Sequence, residues 1–189
     1  EKQLPDLYRF KLDQIRNLSE DCRRLREEKP MRRGTVGLPL GLNMYENLFF
    51  WVEFFHSLQM NVVISDLSSR ALYAKGQYSV PSDTACYPAK LMHGHIENLL
   101  DQGVDTIFYP CMSYNFDEQK GDNHFNCPVV AYYPELLASN VEKLKSVRYL
   151  YPYLNLSAQN IAEKSLGSIE RLLSGSDPQR SKTGFGKCL

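Results

Sequence analysis

Apolar positions are sparse and periodic at the start of this chain. Within the charged run LYRFKLDQIRNLSEDCRRLREEK, Ile15, Leu18, Cys22 and Leu25 recur at helical spacing and predict a moderately amphipathic helix. Cys22 falls on that stripe and reads as a small buried hydrophobe. Pro30 and Gly34 flank a break, and from Thr35 the pattern becomes short apolar runs alternating with longer helical segments. TVGLPL (35–40) reads as a strand. Asn43 with Glu46 reads as a capping box opening a helix to about Gln59. That helix carries so many aromatic residues that its apolar arc exceeds a simple surface helix, so it should be covered by the sheet and then by another domain or subunit. NVVISD (61–66) is a strand, SSRALYAKG (68–76) a short helix, and a further helix opens near Cys86 and ends about Gln102–Gly103. VDTIFYP (104–110) is the clearest strand. A long polar loop runs from Cys111 to Cys127, then PVVAYYP suggests a strand, PELLASNVEKL a helix and VRYLYPYL an edge strand. Ser157 is placed to cap a last amphipathic helix through Leu173.

Strand alternating with helix predicts an α/β fold: an open, mainly parallel sheet with helices on both faces, flavodoxin-like. The expected organisation is a helical arm or linker over 1–33, the α/β domain over 34–174, and a disordered tail over 175–189 whose Cys188 is incidental. Folds of this kind place ligands beyond the carboxyl ends of the strands.

Charge narrows the function. Lysine plus arginine and aspartate plus glutamate each number 22, so the net charge is zero and no basic field exists to hold nucleic acid or an anionic membrane. No apolar run approaches the roughly 20 residues that span a bilayer. The charged start lacks a signal peptide and, beginning at Glu1, suggests a fragment of a larger protein. Five cysteines without dense spacing favour a reducing cytoplasm over a disulfide scaffold.

Three of those cysteines carry the candidate chemistry: Cys86 in SDTACYPAK, Cys111 in FYPCMSY and Cys127 in HFNCPVV. Pro88 suits a first helical turn, so Cys86 stands at or just before a helix N-terminus, where the helix dipole favours thiolate. Lys90 and His93 follow it on one helical face and are candidates to tune a site there, or else members of a solvated face. His95 points elsewhere and reads as a surface or packing residue, and His56 as a core histidine. His124, three positions before Cys127, is a possible ligand or neighbour of one. Three thiolates suit a [4Fe–4S] cluster with one open iron, or a zinc site completed by His124 or His93. Buried structural thiols and a single reactive cysteine are the competing readings, since no CxxC pair is present. A strand directly after Cys127 would put it at the opposite sheet edge from Cys111, unless that strand starts late or runs antiparallel. Gly41 and Asn43 form a candidate anion site at a helix N-terminus, with a tight turn as the competing explanation.

The motifs GTVGLPLGLNMYENLFFWVEFFHSL, PSDTACYPAKLMHGHIENLL, GVDTIFYPCMSY and DNHFNCPVVAYYPELL, in that order, resemble the domain of unknown function found in CoA-substrate-specific enzyme activases, proteins related to activators of 2-hydroxyacyl-CoA dehydratase. The resemblance covers about residues 4–150 and extends distantly to dehydratase subunits and double-cubane cluster proteins. It implies an iron–sulfur electron-transfer module, ligated by Cys86, Cys111 and Cys127, within an ATP-dependent activase. The implied partners are the ATPase domains of the parent chain, an acyl-CoA dehydratase or reductase, and a second copy in a homodimer. ATPase signatures are absent from this segment, which is therefore not expected to be catalytic alone. The alternatives are a dehydratase- or reductase-like half-site binding substrate at an open cluster iron, and a structural docking domain, zinc-stapled or not. A cluster can be missing from an aerobic preparation.

Overall fold

The structure, a computed structural model, describes residues 4–115, 117, 119–155, 167, 169 and 173. The predicted first helix is α1 (Leu7–Glu28), capped by Asp6, whose side chain accepts from the Arg9 amide at 2.9 Å. Its stripe buries Ile15 and Cys22, and α1 packs along the strand β2 (Asn61–Ile64). Upstream of that contact Leu4, Leu7, Tyr8 and Phe10 remain exposed.

β2 pairs in parallel with β1 (Thr35–Leu38), which pairs in parallel with β3 (Thr106–Phe108), which pairs in parallel with β5 (Arg148–Leu150). The order β2-β1-β3-β5 is the open, flavodoxin-like arrangement, with its switch point between β1 and β3. Two further strands, β4 (Cys111–Tyr114) and β6 (Tyr153–Asn155), pair in parallel as a second sheet. They continue β3 and β5 in unchanged register: Tyr109 N–H bonds Leu150 O and Cys111 N–H bonds Pro152 O, each at 2.9 Å. Pro110 and Pro152 lack amide hydrogens, so the ladder is interrupted at the prolines. Cys111 thus begins a strand rather than a loop.

Alternation along the strands assigns the faces. Phe108 packs on Trp51 and Phe55 of the helix α2 (Asn43–Ser57). A side chain at Gly37 would meet Leu99 of the helix α4 (Tyr87–Asp101) on the opposite face. α4 is buried from Met92 to Leu99 because a second helix, α3 (Arg70–Gly76), lies across it. The approach needs glycine twice: a Cβ at Gly76 would stand 2.3 Å from the Gly94 nitrogen, and one at Gly94 would stand 2.1 Å from the Leu72 carbonyl.

Three expectations are corrected. PVVAYYP is not a strand but the first half of α5 (Pro128–Asn140). Pro128 sits where a first turn tolerates it, and the buried Ala131, Pro134 and Leu137 recur every three residues. Asn43 is the first residue of α2 rather than its cap; the cap position is Leu42, at φ +48°, without a side-chain hydrogen bond. His56 is half-buried near the end of α2, not a core residue. The predicted tail, with Cys188, and most of the segment from Ser157 to Leu173 lie outside the described residues.

Candidate functional site

The carboxyl edge of the sheet is where the three cysteines arrive, by three different routes. Cys86 is the N-cap residue of α4 and Cys127 the N-cap residue of α5. Each helix returns from that edge towards the amino ends of the strands, so its N-terminus lies at the carboxyl end. Cys111 reaches it as the strand continuation after β3. Cys127 therefore stands at the same edge as Cys111, because a helix rather than a strand follows it. Cys86 and Cys127 are exposed; Cys111 is buried.

Each sulfur has a distinct setting. The Cys127 sulfur accepts from the Val130 amide at 3.5 Å. Burial pushes the Cys111 thiol up to about 12, against smaller opposing contributions from the Glu135 backbone and the Tyr153 hydroxyl, whose hydrogen goes to the Glu135 carboxylate at 2.5 Å. Among the described residues no three His, Cys, Asp or Glu side chains group tightly enough to hold one metal ion. A single metal ion, zinc included, therefore has no ready-made site among those residues, and both histidines proposed as its ligands are engaged elsewhere. His124 pairs with Asp117 at 3.2 Å.

His93 belongs to a buried chain whose direction can be derived. Its Nδ1 meets Ser79 Oγ at 2.7 Å and its Nε2 meets the Tyr133 hydroxyl at 3.0 Å. Ser79 spends its only hydrogen on the Gly76 carbonyl at 3.0 Å. It must therefore accept from Nδ1–H, which leaves Nε2 to accept from Tyr133. The imidazole is neutral, since burial lowers it to about 4 against a weaker upward pull from Glu97. Tyr133 thus turns its hydrogen to His93 and only lone pairs outward. Glu97, one turn on, accepts from Tyr78 and from Lys143, the latter at 2.7 Å. The helical face that begins at the exposed Cys86 and half-buried Lys90 is therefore buried only farther along, at His93 and Glu97. Lys90 ties down the preceding loop through the Asp83 carbonyl at 2.8 Å.

Tyr109, which the sequence reading passed over, stands beside the cysteines. It is fully buried directly after β3, and its hydroxyl has no hydrogen-bond partner. Burial raises its phenol well above the ordinary range, followed by the charges of Cys111, Tyr133 and Cys127, so it is a protonated donor. Only the apolar–polar alternation of FYPC hinted at it, and that pattern fits an ordinary core tyrosine equally well.

The anion candidate fares differently. A Cβ at Gly41 would stand 2.4 Å from Met92 Sδ, so this glycine serves close packing of the turn on α4. The Met44 and Tyr45 amides already bond Gly41 O and Leu42 O. The Asn43 amide group is buried without a hydrogen-bond partner. Two cavities open at this end of the molecule. One of about 660 Å³ lies between Glu46 and Asn47 of α2 and the loop from Asn115 to Asn126. The other, about 270 Å³, lies between the turn at Leu40–Leu42 and α4, with His95 on its wall. His95 is held there by Ser65 and Ser68 at 2.8 and 2.9 Å.

No helix among the described residues is long and apolar enough to cross a membrane. A family model described as the CoA enzyme activase uncharacterised domain matches residues 35–188. No curated protein and no solved structure matches the chain.

Proposed function

The chain belongs to the CoA enzyme activase uncharacterised domain family, and on that premise we propose that it is the electron-transfer module of an ATP-dependent activase, holding an iron–sulfur cluster through Cys86, Cys111 and Cys127. The observation that carries this reading is the arrival of three thiols, from three separate segments, at one edge of a parallel sheet. Two come from helix N-termini, whose unpaired amides and dipoles favour negative charge. The third, Cys111, is buried at the same edge on the strand that α5 covers. A fully buried phenol with no partner beside them fits a site built to receive a further group.

Bound there, a cluster would supply a one-electron redox centre. The chain's part is to hold it and exclude water: Cys86 and Cys127 close the open side, while Cys111 and Tyr109 form the buried wall. Anaerobic reconstitution with ferrous iron and sulfide tests the proposal. The expected result is a broad visible chromophore with bound iron and sulfide, lost or strongly reduced in Cys86→Ser, Cys111→Ser and Cys127→Ser. A wild-type chain that takes up neither iron nor sulfide overturns it.

Docking is a second role favoured by one observation. Phe49 and Phe50 on α2 remain exposed, on the helix whose apolar arc exceeds what the sheet can cover. An adjoining domain of the activase or a dehydratase partner is the proposed occupant of that face.

A further inference from the structure

The Tyr109 hydroxyl is the most informative loose end in the molecule. A buried hydroxyl left without a partner is destabilising, and phenylalanine would fill the same space without that penalty. The neighbouring phenol differs from it: the Tyr133 hydrogen is committed to His93, whose own hydrogen is committed to Ser79. Of these two phenols, Tyr109 has the uncommitted hydrogen. Its place along the strand says where that hydrogen is aimed. Residues two apart on a strand share a face at about 6.6 Å separation, and the register carries unbroken from β3 to β4, so Tyr109 and Cys111 lie side by side. The same face is covered by α5, which brings Tyr133 and, at its N-terminus, Cys127.

We propose that Tyr109 donates its phenolic hydrogen bond to a sulfur atom of the group held by the three cysteines, and thereby raises that group's reduction potential. The inference rests on the cluster reading above and adds a residue to it. A hydrogen bond to cluster sulfur offsets the negative charge gained on reduction, so its loss favours the oxidised form.

Tyr109→Phe in the full chain is the test, with Tyr133→Phe as its comparator. In the empty protein, Tyr109→Phe should unfold at the same temperature as wild type or higher, because an unpartnered hydroxyl has been removed. A lower midpoint would mean that the hydroxyl is already satisfied, and would overturn the proposal. After anaerobic reconstitution, Tyr109→Phe should bind as much iron and sulfide as wild type, and a redox titration should show its potential moved to a more negative value. Tyr133→Phe should show no such shift, since that phenol offers no hydrogen to the site. An unchanged potential in Tyr109→Phe, or an equal shift in both variants, overturns this inference alone. Failure of wild type to take up iron and sulfide overturns the cluster reading, and this inference with it.

Discussion

His93 and His95 are adjacent in the sequence pattern but serve opposite sides of α4, and both are wholly buried as neutral rings. Burial lowers each from 6.5 to about 4, with Glu97 pulling His93 and Asp66 pulling His95 weakly back up. As pH falls through 6.5 the unfolded chain takes up protons that the folded chain refuses. Stability contributed by these residues is therefore complete above 6.5 and is lost progressively down to about 4, at roughly 1.4 kcal/mol per pH unit for each histidine. Urea midpoints between pH 7 and 4.5 should show that decline, and His95→Gln should remove about half of its slope. The direction of the buried chain predicts a further cost. Tyr133→Phe leaves the His93 Nε2 lone pair unmatched and should destabilise by about 1–3 kcal/mol in equilibrium unfolding. Its exposed neighbour offers a control, since Tyr132→Phe should stay within about 0.5 kcal/mol of wild type.

At the scale of elements, the sequence pattern located β1, α2, β2, α3, α4 and the β3 strand, because each has its own period and boundary residues. It misassigned 128–134, where Val129, Val130, Tyr132 and Tyr133 all favour strands. Tertiary burial of one helical face, with Pro128 at the first turn, overrode that propensity. The pattern also could not show that α4 is covered twice. Its second cover is a seven-residue helix whose docking depends on two glycines distant in sequence. Gly94→Ala sets a methyl against the Leu72 carbonyl, a backbone atom that cannot turn aside. Separating the helices should cost about 1–3 kcal/mol or more and loosen Ser79 and Tyr78 from His93 and Glu97. Gly121→Ala, where nothing lies within 4 Å, should leave the unfolding midpoint unchanged.

For the molecule as a whole, the consequence of the α5 assignment is that chemistry gathers at one edge, and thiol reactivity can read this directly. Cys22 and Cys111 are buried and both are pushed up to about 12, first by burial; Cys22 also feels Asp21 and Glu53. Cys86 and Cys127 are exposed at their helix starts. The spacing of the cysteines could not reveal this division, because it depends on which face of a strand or helix each occupies after folding. Alkylation of the native empty protein, followed by peptide mass analysis, should label Cys86 and Cys127 quickly, and Cys22 and Cys111 only once denaturant is added. Anaerobic loading with iron and sulfide should then protect Cys86 and Cys127, and a chelator should restore their labelling. Protection of both exposed thiols at once, with Cys22 unchanged, distinguishes a shared ligand from oxidation of one residue. Iron retained while both thiols stay fully reactive would mean that the metal sits elsewhere, and the carboxyl edge would then be a packing feature of the fold.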